Sequence, residues 1–348
     1  MSNQETKKTK KKVVAVPWIA QLYLSIYDNL PPIYAPFLYI NNINTNNNNN
    51  NNNNNSKERL NISFTLFSSL CLILCKYSAE YALIHLGGWP NTAATTEDRT
   101  AAIATLEAAA SCASICHSTV LCLGLLVAFR TQQYDVVATV AEQQQPTWWP
   151  RLADALLQLC GGYMLYDAGI NIFYLRYAPN TTTGVVPFQL NDDDILFLLH
   201  HFVTSFYMLS ARCLGAGYQS AMICMFLGEL TNPLQNLRWI GIQAQTIGGN
   251  GVWYGTSARG LALHATINVG FALAYFVIRV VIAPPFFAHT SYQLLGTSKG
   301  RTNIQPLPLN LFWNFCIWAV CFGSTSWILK CYHILVETFA PQHQDQEL

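Results

Sequence analysis

DILFLLHHFVTSFYMLSARCLG (Asp194–Gly215) and, a few residues on, SAMICMFLGELTNPLQNLRW (Ser220–Trp239) decide how this chain folds. Between Ile195 and Leu237 an apolar background long enough to span a bilayer twice carries His200, His201, Arg212, Glu229, Asn232 and Asn236. A charged side chain at the centre of a membrane helix costs roughly 2.5–3.5 kcal/mol on insertion scales, so such groups turn toward a bundle interior and find partners there. The stretch therefore reads as the polar lining of a helical membrane bundle.

Composition agrees. Of 348 residues, 51% are hydrophobic and 11% charged, and the mean hydropathy is +0.21. Soluble chains average about 25% charged residues. Too few charges remain to solvate a globule of this size, whereas lipid can cover the apolar excess. The net charge of +1 conceals a cluster, Lys7, Lys8, Lys10, Lys11 and Lys12, ahead of the first apolar segment. Such clusters favour the cytosolic side, either as a solvated tail or against anionic lipid heads. No nucleic acid partner is expected, because neither interleaved aromatics nor a supporting domain accompanies the lysines.

Residues 1–60 read as a tail containing the Lys cluster, an apolar patch interrupted by Asp28, Asn29, Pro31, Pro32 and Pro36, and an unbroken Asn run from Asn46 to Asn55 that cannot pack a core. Residues 61–337 read as the transmembrane domain and 338–348 as a short polar tail. Crossing the hydrocarbon core takes about 20 mostly apolar residues. Seven stretches qualify or nearly do: Ile62–Leu86, Ala101–Phe129, Leu152–Tyr177, Ile195–Leu214, Tyr218–Leu234, Leu261–Ile282 and Leu309–Val336. The fifth is shortened by Glu229 and Pro233, so a broken helix is an alternative there. The expected fold is an all-α, multi-pass transmembrane helical bundle of six to seven spans. Arg130 with Arg151, Arg212, and Lys299 with Arg301 then fall on one side, and Asp192–Asp194 with the Asn180-Thr181-Thr182 sequon on the other.

Five local patterns occur in a fixed order: Ser111-Cys-Ala-Ser-Ile-Cys-His117-Ser; Gly162-Tyr163-Met-Leu-Tyr166-Asp167; Leu199-His200-His201-Phe-Val-Thr204; Glu229-Leu-Thr231-Asn232-Pro233 continuing to Asn236-Leu-Arg238-Trp239; and Phe276-Val-Ile-Arg279-Val. Together they resemble the TLC-domain family of multi-pass membrane proteins, with the TLC domain-containing protein 4 (transmembrane protein 56) type as the nearest look. The resemblance covers most of residues 60–336. It implies lipid metabolism or homeostasis, residence in the endoplasmic reticulum, and a membrane lipid as partner, whether a sphingolipid, a phospholipid or an acyl-CoA. Ceramide synthases belong to this family, and the resemblance to them implies acyl transfer by the paired His. The stretch after the His pair here offers Glu229 and Asn232 where ceramide synthases carry spaced Asp residues, so a binding or sensing role stands beside acyl transfer.

On a helix His200 and His201 point about 100° apart. A neutral imidazole there serves either as a general base, oriented by Asp167, Glu229 or Asn232, or as a buried hydrogen-bonding group. The expected catalytic set is His200, His201 and Asp167, and the expected ligand-binding set is His117, Tyr163, Glu229, Asn232 and Arg279. Arg279 reads as the counter-charge of Asp167 or Glu229, or as a clamp on a lipid phosphate or carboxylate. No cofactor is implied. No metal is expected either, since Cys112-x-x-x-Cys116-His117 lacks the paired clusters of a structural zinc site and one His pair is too few for a di-iron centre. Trp148, Trp149, Trp239, Trp253 and Trp313 read as interfacial anchors.

Overall fold

The computed structural model describes residues 16–40, 58–90, 99–130, 135–142, 146–174, 192–247, 254 and 257–339. The Lys cluster, the Asn run, the Asn180 sequon, Trp253 and all of the C-terminal tail beyond Phe339 lie outside the described residues. Helix α1 (Trp18–Tyr27) precedes an antiparallel pair, β1 (Tyr34–Ile40) and β2 (Glu58–Asn61). The remainder is helical: α2 (Ser63–His85), α3 (Arg99–Arg130), α4 (Trp149–Tyr166), α5 (Asp192–Leu214), α6 (Tyr218–Glu229), α7 (Asn232–Thr246), α8 (Ala258–Phe276), α9 (Ala283–Ser291), α10 (Ser298–Asn303), α11 (Leu307–Gly323) and α12 (Thr325–Phe339). Widened π-helical segments extend α4 through Asp167–Tyr174 and join α8 to α9 through Val277–Ile282.

Four helical stretches among the described residues are long and apolar enough to cross a membrane: Ser63–His85, Ala101–Arg130, Ala258–Gly296 and Leu307–Phe339. Their outward faces carry large apolar side chains at helical spacing, such as Leu66, Leu70 and Leu74 on α2 and Leu123 and Leu126 on α3, all exposed. In water these stripes would be a liability, whereas hydrocarbon covers them without penalty. The fifth expected span is broken. Helix α6 has 12 residues, about 18 Å at 1.5 Å per residue, well short of the ~30 Å hydrocarbon core. The chain turns at Leu230 and Thr231 before Pro233, placed in the first turn of α7, restarts the helix.

Helices α2, α3 and α4 pack on one another, and α7 packs along α3. Close approach of α2 to α4 depends on Gly162: a Cβ there would overlap the Ser68 hydroxyl and the Thr65 carbonyl. The Ser69 hydroxyl uses that proximity, donating to the Gly162 carbonyl at 2.7 Å. Small residues at a helix contact and a hydroxyl bonding across it are the means by which helices associate in lipid.

The expected Trp anchors are corrected at three positions. Trp148, Trp149 and Trp313 are buried in the main core; the Trp149 indole donates to the Ala128 carbonyl at 3.1 Å and that of Trp313 to the Ser210 hydroxyl at 2.8 Å. A large ring whose N–H finds an interior acceptor has no need of the interface; Trp148 is buried by packing alone, its indole N–H without an acceptor. Trp239 remains partly exposed.

One end of the bundle collects the charges assigned above to a common side. The 135–142 loop bonds to the α5–α6 turn (Val140 N–H to Gly215 carbonyl, 2.8 Å; Gly217 N–H to Ala138 carbonyl, 3.2 Å). It also meets α10 through Lys299 Nζ to Asp135 Oδ2, 2.7 Å. Arg212, expected on a loop of that side, is instead buried beneath this end, with Nε on Asp154 Oδ1 at 2.6 Å and Nη2 on the Asn61 carbonyl at 2.6 Å. Part of the stretch read as a tail is folded against the same end. Helix α1 is held by the Tyr27 hydroxyl donating to Asp154 (2.7 Å), the Tyr23 hydroxyl donating to the Val120 carbonyl (2.7 Å) and Asp28 pairing with Arg151 (2.8 Å).

Candidate functional site

The His pair sits near the middle of α5. His201 is three helical turns from Arg212, about 17 Å along the axis at 1.5 Å per residue. Because neighbouring side chains diverge by about 100°, the two rings face different surroundings. His201 is buried, and its Nε2 lies 3.0 Å from Asp167 Oδ2. His200 is half-buried and lines an apolar cavity with Met164, Val203, Thr204, Tyr207, Met225 and Phe287, while Glu229, Cys160 and Cys224 complete its wall. Asp167 can reach His201 because the helix widens where α4 ends. Such widened turns recur at functional sites.

A second group adjoins the first. The His117 and Tyr163 rings stack, with centroids 4.1 Å apart and planes 6° off parallel. Tyr163 in turn lies 6.4 Å, centroid to centroid, from His201, and its hydroxyl is 3.1 Å from that of Ser114. The Glu229 carboxylate accepts from the Ser118 hydroxyl at 2.9 Å and from Asn232 Nδ2 at 2.7 Å. Position 229 ends α6, so the break after it lets Asn232, first residue of α7, turn back onto the same carboxylate. His117, Tyr163, Asp167, His200, His201, Glu229 and Asn232, drawn from α3 to α7, thus share one interior chamber.

Arg279 enters from the widened segment between α8 and α9, but not as the expected ion-pair partner. Its Nη2 donates to the Gly228 carbonyl at 3.1 Å and its guanidinium lies over the Tyr275 ring, 5.4 Å from the centroid. The buried Nε has no hydrogen-bond partner. Asp167 is taken by His201, and Glu229 is held by Ser118 and Asn232, which removes the pull that would have brought Arg279 into direct contact. It acts on Glu229 and on His200 only through space. Arg212 and Asn236, which the sequence also placed in the lining, are engaged elsewhere: Arg212 on Asp154, Asn236 back on the Asn232 carbonyl at 2.9 Å.

Several residues of the chamber carried no sequence signal of their own. Cys160 and Cys224 read as small apolar filler, yet both line the cavity. Ser118 was one more polar residue beside His117, yet it holds Glu229. Away from the chamber, Lys76 on α2, 1% exposed and 2.6 Å from Glu80, forms a further ion pair inside an apolar helix. Only its i, i+4 spacing to Glu80 hinted at it.

Chemically, a carboxylate on Nε2 fixes the orientation of the His201 ring. The cavity lined by His200 is walled mostly by apolar side chains, with Thr204 and Glu229 among its polar members. No curated protein and no solved structure matches the chain. A family model described as the TLC domain matches residues 107–333, well over half of it and with every residue of the chamber inside the match. The chain belongs to the TLC-domain family of membrane proteins.

Proposed function

We propose that this protein binds a membrane lipid inside the bundle, with an acyl chain in the cavity and the head against His200, Glu229 and Arg279, and so senses or regulates lipid content. The observation that carries this reading is the cavity itself. Its wall of Met164, Val203, Met208, Met225, Phe287 and Ile317 is apolar, and His200, Thr204 and Glu229 are among its few polar members. A pocket largely apolar with a few convergent polar groups is the usual form of a ligand site. Arg279 supplies a planar, permanently charged fork suited to a phosphate or carboxylate. The resemblance of the five ordered motifs to the TLC domain-containing protein 4 type supports the same reading, as it supports residence in the endoplasmic reticulum and a transmembrane unit of residues 61–337 with six to seven spans. Protein purified in mild detergent and analysed by mass spectrometry is expected to carry lipid, and Met208→Trp, which fills the cavity, and Arg279→Ala are expected to lose it. Lipid retained by both variants would refute the proposal.

A second reading, lipid acyl transfer from acyl-CoA as in ceramide synthases, is favoured by one observation: the His201–Asp167 pair at 3.0 Å. An oriented imidazole, next in sequence to the cavity-lining His200, is the kind of group a general base needs to take the proton of an attacking amine or hydroxyl. Microsomes supplied with acyl-CoA and a broad acceptor panel test it. A product that disappears in His201→Ala establishes transfer, and no product above background removes it.

A further inference from the structure

Three donor atoms from three helices meet at the edge of the chamber. His117 of α3, Cys160 of α4 and Glu229 of α6 each place one potential ligand atom within 4.8 Å of the other two. All three residues are buried. Neither ring nitrogen of His117 has a hydrogen-bond partner, although leaving a buried polar group unsatisfied costs about 1–3 kcal/mol. Stacking on Tyr163 nevertheless fixes the ring's plane. A preoriented, fully buried imidazole with both nitrogens unclaimed, next to a thiol and a carboxylate, is unaccounted for by packing alone.

We propose that His117, Cys160 and Glu229 form a binding site for a divalent transition-metal ion, with Zn2+ the best match to the donors. One imidazole nitrogen, one thiolate and one carboxylate oxygen make a borderline-soft set that suits zinc far better than magnesium or calcium. Bonds of about 2.0–2.3 Å in tetrahedral geometry hold donors roughly 3.3–3.8 Å apart, so side-chain rotations that shorten the separations, at most 4.8 Å here, by up to about 1.5 Å close the group onto an ion. Charge balance favours it as well. Binding releases the Cys160 thiol proton, and the resulting thiolate together with the Glu229 carboxylate neutralises a 2+ ion, leaving a buried complex of zero net charge. Supporting contacts are already in place: Ser118 and Asn232 orient the Glu229 carboxylate, and Tyr163 orients His117. Outer partners of this kind set ligand geometry in metal sites. Cys160 and Glu229 also line the cavity, so the fourth coordination position faces the space where a lipid head would lie. Three protein ligands plus an open position is the pattern of a reactive rather than a purely structural zinc. In the sequence His117 stood only in the spacing Cys112-x-x-x-Cys116-His117, whose Cys116 turns outward, and nothing linked it to Cys160 or Glu229. This inference is independent of whether the lipid is held or acylated.

Full-length protein purified in detergent without chelator, equilibrated with Zn2+ and freed of excess, is expected to retain one zinc per chain by elemental analysis. Loading with Co2+ in place of Zn2+ is expected to give a sulfur-to-cobalt charge-transfer band and the visible bands of a four-coordinate ion. Cys160→Ser, nearly isosteric, should abolish the charge-transfer band, and Glu229→Gln and His117→Ala should bring retained zinc to background. Cys224→Ser, on the same cavity wall but outside the donor set, should keep both. Wild-type protein that retains no zinc, or a charge-transfer band that survives Cys160→Ser, would overturn the proposal. Cys160→Ser decides the question even if His117→Ala fails to fold.

Discussion

Asp154 of α4 and Arg212 of α5, 58 residues apart in sequence, meet at 2.6 Å at the charged end of the bundle. The Tyr27 hydroxyl and Gln158 Nε2 each donate to the other carboxylate oxygen at 2.7 Å. This junction binds the N-terminal segment, α4 and α5 into one unit. Truncating one member of a buried pair strands the other, at a cost of about 3–5 kcal/mol. Arg212→Ala is therefore expected to lower the unfolding midpoint sharply in detergent, while the double change Asp154→Leu with Arg212→Met recovers much of the loss. A single variant as stable as wild type in a thermal-shift assay would show the junction to be dispensable.

Gly162 marks the closest approach of α2 to α4. Adding a methyl group forces Ser68 and the Thr65 backbone outward, and overpacking of this kind costs about 1–3 kcal/mol. Gly162→Ala should destabilise the protein by that amount, whereas Gly161→Ala, whose added Cβ meets only the Thr65 methyl at 3.9 Å, should be nearly neutral. Equal effects at the two positions would contradict the packing described.

His201 and Asp167 separate the two readings of function. If the pair is catalytic, His201→Ala should reduce acyl transfer by about 10²–10⁴-fold, the usual contribution of a general base, with lipid capture intact. If the protein only holds lipid, turnover in microsomes is the same for wild type and variant, and Arg279→Ala is the change that matters. Quantitative lipid analysis of cells carrying each variant distinguishes them.

The Lys299–Asp135–Glu142 contacts predict a pH response outside the membrane. The Asp135 hydrogen bond, despite partial desolvation, raises the Lys299 ammonium above its ordinary 10.5. This contribution is complete below pH 10.5 and is lost as pH rises through the raised value. For Glu142, burial pushes the carboxyl up, but the Thr139 N–H, Lys299 and Asn303 outweigh it and hold the group below its ordinary 4.5. Its contribution is complete above pH 4.5 and is lost as pH falls through the lowered value. Both side chains are about two-fifths exposed, so screening keeps the effect small. Hydrogen exchange at residues 135–142 should be flat across neutral pH, apart from the intrinsic rate, and should accelerate at either extreme. Lys299→Ala should remove the alkaline limb.

The bundle was legible because charged and polar residues in apolar helices are costly enough to leave an unmistakable pattern, and because Glu229 and Pro233 announce the break after α6. The His pair and Asp167 were legible as neighbours of one chamber for the same reason. What escaped was pairing. Arg279 looked like the natural partner of Asp167 or Glu229, but nearer groups on other helices, His201, Ser118 and Asn232, had already engaged them. Cys160 could not be singled out among eleven cysteines, since its meaning depends on residues of α3 and α6. The Trp residues were misjudged because interior acceptors such as the Ala128 carbonyl exist only once the helices have met. The folded part of the first sixty residues was hidden by its prolines, which interrupt a spanning pattern without preventing a short helix from docking through Tyr23, Tyr27 and Asp28.

The small β1–β2 pair has a bearing on how this gene product can drift in length. Its antiparallel register ties Ile40 to Glu58 and Tyr34 to Asn61, so both margins of the polyasparagine tract are pinned to the same spot on the bundle. Slippage that adds or deletes asparagines alters only the connection between two fixed posts. Doubling such a connection costs about 0.6 kcal/mol in closure entropy. A change in length between Ile40 and Glu58 can therefore proceed at the charged end while the helices of the bundle keep their register.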